Sequence, residues 1–206
     1  MVTPGHQSPL SMALSLPRRQ LLLDWAARTG GWIVEDDYDG EYRYVSRPLP
    51  ALASLDRHGR VLYAGTFSKV LFPGIRLAYL VVPQAQVAAF ERVGRALFAA
   101  GSPSITQALV AESVAEAHFA RHIQRMPRLY NERRALTIEA LDRSLPKGLQ
   151  VERSPGGMHL VLRLPEDVSD TALAEQVLAR GMSVQALSRW AASSQRQSGL
   201  LLSFTN

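Results

Sequence analysis

The sequence predicts an α/β fold with a sheet buried on both faces, followed by a smaller α+β piece. Three observations carry this. Short strand-like runs at residues 32–34, 60–64 (apolar after Arg60) and 77–82 follow an amphipathic segment and are separated by turn signals, the pattern of strands covered on both sides. The second half shifts to helical periodicity and then to short strand-like runs. Hydrophobic residues make up 47% of the 206 residues and charged residues 20%, enough apolar material for one sizeable core or two small ones.

Residues 16–28 read as a helix with Leu21, Leu22, Trp25 and Ala26 on one face, stopped by Thr29-Gly30-Gly31. The first strand, Trp32-Ile33-Val34, meets the acidic cluster Glu35-Asp36-Asp37-Tyr38-Asp39. Arg47-Pro48-Leu49-Pro50 reads as loop. The second strand runs into Gly65-Thr66-Phe67-Ser68-Lys69, and the third lies between Pro73-Gly74 and Pro83. Residues 84–100 read as helix, and helical pattern resumes from Ser104 to about Leu145, with Pro127 as the expected kink or boundary. After the turn Ser154-Pro155-Gly156-Gly157 come a strand at 158–164, a helix at 170–180 capped by Gly181, and strands at 182–184 and 200–204. These elements predict two domains, 1–124 and 125–206, with no internal repeat. The chain opens in a loop that would normally follow a strand and closes inside one, so it is expected to be part of a longer protein.

With no cysteine, disulfide scaffolds, thiolate metal centres and thiol catalysis are excluded. No apolar stretch is long enough to span a bilayer, and the first residues lack the pattern of a secretory signal, so a cytoplasmic protein is the expectation. The net charge of +5 is spread without a basic stripe; only weak, sequence-independent, salt-sensitive DNA association is expected of these residues. Of 23 basic residues only Lys69 and Lys147 are lysines. A guanidinium stays protonated, whereas a lysine amine can become a nucleophile.

Three features fall at strand ends, where ligands bind in open α/β sheets: Asp36 with Tyr38, then Thr66, Ser68 and Lys69, then Arg76. A carboxylate, a phenol, two hydroxyls, an amine and a guanidinium are the set that pyridoxal 5′-phosphate requires. Its aldehyde takes a lysine, its ring nitrogen an acid, its ring oxygen a phenol, and its phosphate hydroxyls and a bidentate arginine.

The motif Gly65-Thr66-Phe67-Ser68-Lys69, with Leu71-Phe72-Pro73-Gly74-Ile75-Arg76-Leu77 behind it, resembles fold type I pyridoxal-phosphate proteins of the class I/II aminotransferase group. The run Glu35-Asp36-Asp37-Tyr38-Asp39-Gly40-Glu41-Tyr42-Arg43-Tyr44, followed by Arg47-Pro48-Leu49-Pro50-Ala51-Leu52, is similar to MocR-type regulators of the GntR family. There an aminotransferase-like domain follows a winged helix-turn-helix. The resemblance implies the C-terminal part of a large mixed-sheet domain plus a small α+β domain. It also implies pyridoxal phosphate as cofactor, an amino acid or amine as effector, a homodimer, and DNA contact through a domain absent from this chain. It makes Lys69, partly buried beside Arg76, the lysine bonded to the cofactor; Asp36 the partner of the ring nitrogen; Tyr38 that of the ring oxygen; and Thr66, Ser68 and Arg76 the phosphate ligands. Arg189 is the candidate for an effector or substrate carboxylate, since Leu201 stands where related aminotransferases often carry an arginine. The other function implied is a catalytic aminotransferase acting on an amino acid and a 2-oxo acid.

Plainer readings stand beside these. Lys69 taken alone is a surface amine. The acidic cluster could form loop turns or hold magnesium or calcium, although it lacks EF-hand spacing. Tyr38 could be a core aromatic. His118 and His122, four apart without a protease glutamate, read as a solvated helix face.

Overall fold

The computed structural model describes residues 1–44, 49–97, 104–146, 148–191 and 197–205. The elements are α1 (Leu16–Thr29), β1 (Ile33–Asp37), α2 (Leu52–Leu55), β2 (Val61–Thr66), α3 (Phe67–Val70), β3 (Ala78–Val81), α4 (Val87–Leu97), α5 (Ser104–Ala115), α6 (His118–Ser144), β4 (Gln150–Glu152), β5 (His159–Arg163), α7 (Asp170–Ala179), β6 (Gln185–Ala186) and β7 (Gly199–Ser203). They form two compact units. The first takes in Met1–Gln7, Met12–Glu41 and Arg47–Met126, and the second Ser8–Ser11, Tyr42–Ser46 and Pro127–Asn206. Part of the expected loop at 47–50, the end of the expected helix at 84–100, and Lys147 fall outside the described residues.

In the first unit β1 and β2 run parallel, with Ile33 opposite Val61 and Asp37 opposite Gly65, and β3 joins β2 antiparallel with Thr66 opposite Ala78. Val2 adds a short rung beside β1 through hydrogen bonds with Val34 and Asp36. The core is Leu23, Ala26, Ile33, Leu52 and Val61. α1 turns in only part of the expected face: Ala26 is buried and Leu22 packs on the core, but Leu23 is buried as well while Leu21 and Trp25 are exposed. The reason is Arg19, one turn before Leu23. Its buried guanidinium donates to the carbonyls of Leu14 (2.8 Å), Pro50 (2.7 Å) and Pro4 (2.5 Å), which fixes the rotation of the helix. Gly30 stops α1 in the left-handed conformation (φ 71°).

The expectation of a sheet buried on both faces fails at β3, whose four residues are all exposed. β3 is the edge strand, and although the Phe67 ring of α3 meets Tyr79, its residues stay exposed. Phe90, Val93 and Leu97 on α4 and Ile105 and Leu109 on α5 are exposed as well. The helical stretch from Ser104 breaks at Ala117 (φ 56°), not at Pro127, which sits inside the unbroken α6.

The second unit is an antiparallel sheet in the order β4-β5-β7-β6, so a strand falls at 185–186 instead of 182–184. β4 carries only one strongly apolar residue, Val151, and lacks the run that marks the other strands. Leu162, Ala174, Ala186 and Leu200 form one core cluster, and Val161, Leu187 and Leu201, with Leu10 against them, another. Leu201 is thus core. No helix among the described residues is long and apolar enough to cross a membrane.

Candidate functional site

Because β1 and β2 are parallel and β3 antiparallel, the C-terminal ends of the first two strands and the N-terminal end of the third meet at one edge of the sheet. Asp36 is the penultimate residue of β1, and Tyr38 follows it. Thr66 ends β2 and caps α3: its Oγ1 accepts from the Ser68 N–H (3.1 Å) and donates to the Leu77 carbonyl (3.3 Å). Phe67 N–H also donates to that carbonyl (2.9 Å), tying the Lys69 turn to the segment that enters β3. Lys69 is the third residue of α3 and is exposed, not partly buried as expected, because it stands on the side of this one-turn helix away from the buried Val70. Arg76 is exposed and left-handed (φ 47°, ψ 38°), a conformation costing a non-glycine residue about 1–2 kcal/mol. Thus Asp36, Tyr38, Thr66, Ser68, Lys69 and Arg76 gather at one sheet end. Arg189 belongs to the second unit, in the 3-10 turn Leu187–Trp190, and is exposed.

The acidic run divides its tasks. Glu35 is buried and accepts from the N–H groups of Leu52 (2.8 Å) and Ala53 (2.9 Å), capping α2. Burial pushes its carboxyl up, against those two hydrogen bonds. Asp37 accepts from the Tyr63 phenol (2.9 Å), and a Cβ at Gly40 would collide with its carboxylate. Burial also pushes the Asp36 carboxyl above its ordinary value, with the negative charges of Asp37 and Asp39 adding to the effect. Glu41 is raised by burial in the same way. Among the described residues Asp36 makes no ion pair, and no three acidic or histidine side chains converge as metal ligands.

Tyr38 donates its phenol proton to the His6 carbonyl (3.0 Å). The His6 ring is buried with Nδ1 2.9 Å from Asp39 Oδ1, and its Nε2 has no partner among the described residues. Tyr38 is tied to this pair through the His6 carbonyl and through Asp39, the next residue in the chain, and the sequence does not show the pair because His6 and Asp39 stand 33 residues apart. His122 was also misread. It is half-buried, and its Nε2–H donates to the Val70 carbonyl (2.8 Å), one residue past Lys69. An aromatic group of Tyr63, Tyr79, Phe67 and Phe119 lines the same end, where only glycine at position 65 leaves room for the Tyr79 phenol.

In the second unit Asp170 is buried at the start of α7. It accepts from the Ser188 hydroxyl (2.6 Å) and the N–H groups of Ser188 (2.8 Å) and Gly199 (3.2 Å). Burial raises its carboxyl, but these bonds outweigh it and the net shift is downward. The turn carrying Arg189 is therefore clamped. Tyr42 packs on Tyr130 (5.0 Å) and accepts from the Gly157 N–H, so the Tyr42-Arg43-Tyr44 part of the acidic motif belongs to this unit.

A parallel–antiparallel sheet with an amine, a carboxylate, hydroxyls and a guanidinium at one end defines a protein of the aminotransferase type. Residues 1–196 match the family described as aminotransferase class I and II, and the chain belongs to that family. It is similar to the probable rhizopine catabolism regulatory protein MocR of Rhizobium meliloti, 39% identical over 98% of this chain and 41% of that protein. It is also similar to the pyridoxine biosynthesis transcriptional regulator PdxR of Corynebacterium glutamicum, 35% identical over 99% of this chain and 44% of that protein. The chain thus spans less than half the length of these MocR-type relatives, within which it corresponds to an aminotransferase-like domain. Among solved structures it resembles LysN, an α-aminoadipate aminotransferase of Thermus thermophilus complexed with N-(5′-phosphopyridoxyl)-L-leucine. There the TM-score is 0.86 at 30% identity, over 98% of this chain and 52% of that one.

Proposed function

We propose that the chain is the pyridoxal-phosphate-binding, aminotransferase-like effector domain of a cytoplasmic transcriptional regulator. In this reading it responds to an amine or amino acid, works as a homodimer, and meets DNA through a separate helix-turn-helix. The observation that carries the proposal is the convergence of Asp36, Tyr38, Thr66, Ser68, Lys69 and Arg76 at one sheet end. The donor set fits the cofactor in charge as well as in kind. Asp36 has a raised carboxyl and no described ion pair, which suits a cationic ring nitrogen, and an exposed arginine on a strained turn suits a phosphate.

In this assignment the Lys69 amine is the covalent attachment point and Asp36 holds a proton on the ring nitrogen. The Tyr38 phenol turns from the His6 carbonyl toward the ring oxygen. Thr66, Ser68 and Arg76 bind the phosphate, and Arg189 meets an effector carboxylate. When bound, the cofactor supplies an electrophilic aldehyde and an electron-withdrawing ring. A catalytic aminotransferase is the second reading, favoured by the likeness to LysN and by the retention of the amine, acid and phosphate ligands together.

The test uses the full product of the reading frame that encodes this chain. Loading with pyridoxal phosphate, borohydride reduction and peptide mapping should place the pyridoxyl group on Lys69, and Lys69→Ala should abolish it. Label on Lys147, or on neither lysine, refutes the cofactor reading. Effector-dependent DNA binding without turnover of amino acid and 2-oxo acid selects the regulator; sustained turnover selects the enzyme.

A further inference from the structure

Lys69 sits on a helix only four residues long, too short to hold its own shape in water. Two side chains one turn apart on α6 reach it. The Phe119 ring meets Phe67 edge-on, with centroids 5.7 Å apart and planes at 70°. The His122 Nε2–H donates to the Val70 carbonyl at 2.8 Å. Phe67 and Val70 are the first and last residues of α3, so the two contacts bracket Ser68 and Lys69. Ala117 sets the direction of this grip. Its left-handed backbone ends α5 and starts α6 afresh, and its carbonyl accepts from the Arg121 N–H in the new first turn.

We infer that His122, with Phe119 beside it, is a positioning residue that holds the Lys69 helix in the conformation that presents the amine. The inference rests on the cofactor reading for its purpose but not for its geometry. A bond from an imidazole to the carbonyl end of a one-turn helix satisfies a group the helix itself cannot, since the last four carbonyls of any helix lack intrahelical partners. Phe119 supplies packing, and His122 a directional contact at the carbonyl end. Because only the Nε2–H is required, an amide that reaches the same point should replace the imidazole, whereas an apolar side chain of similar size should not.

The test compares His122→Gln, which keeps a donor at that reach, with His122→Leu, which removes it, in the full reading-frame product. Amide exchange of the segment around α3, measured without cofactor, should quicken about five- to tenfold in the leucine variant, as expected for one lost hydrogen bond in a locally opening element, and stay within about twofold in the glutamine variant. The concentration of pyridoxal phosphate giving half-maximal borohydride labelling of Lys69 should rise by a similar factor in the leucine variant alone. Equal exchange in the leucine variant and the parent overturns the inference, as does a glutamine variant as impaired as the leucine one. If exchange changes as expected while the parent takes up no cofactor, the positioning role stands and the cofactor reading falls.

Discussion

Asp36→Asn should move stability and cofactor affinity in opposite directions. The substitution keeps the size of the side chain and removes a charge that burial, Asp37 and Asp39 all disfavour. With the folded-state value raised above the ordinary 3.8, the side chain favours folding fully only below 3.8, and that contribution is lost as pH rises through the folded-state value. At pH 7 the empty asparagine variant should therefore be the more stable. Because Asp36 is only partly buried, solvent screening limits the gain to below about 1 kcal/mol. The advantage should vanish below pH 3.8, where the aspartate is protonated in both states. Affinity for pyridoxal phosphate should fall, since a charge-assisted hydrogen bond to the ring nitrogen is worth about 1.5–3 kcal/mol, or roughly ten- to a hundredfold. Urea melts of the empty protein at pH 7 and pH 3.5 and cofactor titration at pH 7 read both arms. A variant less stable than the parent at pH 7, or one that binds the cofactor equally well, refutes the reasoning.

Two further outcomes follow from the buried polar and strained positions. Asp170→Ala strips the acceptor from the Ser188 hydroxyl and from the N–H groups of Ser188 and Gly199, and should destabilise the protein by about 3–5 kcal/mol in denaturant melts. Since the Asp170 carboxyl is held below 3.8, the parent's advantage should shrink only as pH falls under that value. Ala117→Gly relieves a left-handed alanine at φ 56° and should stabilise by about 1 kcal/mol, read as a higher melting midpoint; a lower one would show that the backbone there is unstrained.

Local signals made α1, β1 and β2 legible, because an apolar run closed by glycine or by acidic residues states its own boundaries. The exposure of β3 was not legible, since an apolar run reports its preference for burial and says nothing of what covers it. Pro127 does not end the helix, since proline removes one hydrogen bond and in a 27-residue helix the surrounding turns outweigh that loss, yet the division between the two units falls at this residue. The gathered side chains of the candidate site were readable because each sits at a strand end beside its own turn. His122, His6 and Asp170 were not, because their partners lie 52, 33 and 18 to 29 residues away and no local pattern encodes the pairing.

Buried polar groups that are satisfied mark scaffold and those that are not mark candidate sites. Each unit holds both kinds, since Arg19 in the first donates to three carbonyls and Arg134 Nε in the second is buried with no partner among the described residues. In the second unit Asp170 is surrounded by donors, its carboxyl is lowered, and it holds a turn in place. In the first unit Asp36 and Glu41 are raised, His6 carries a buried nitrogen without a described partner, and Arg76 stands in a strained conformation. These groups cluster at one end of one sheet, where burial and like charge outweigh what the described residues give the Asp36 and Glu41 carboxyls. A molecule with a cationic ring nitrogen and an anionic phosphate would relieve both halves at once, giving the carboxylates a cation and Arg76 an anion. Strain and uncompensated charge of this kind persist where a ligand completes them, which is the physical reason to seek the cofactor at this edge and not at the satisfied clamp of the second unit.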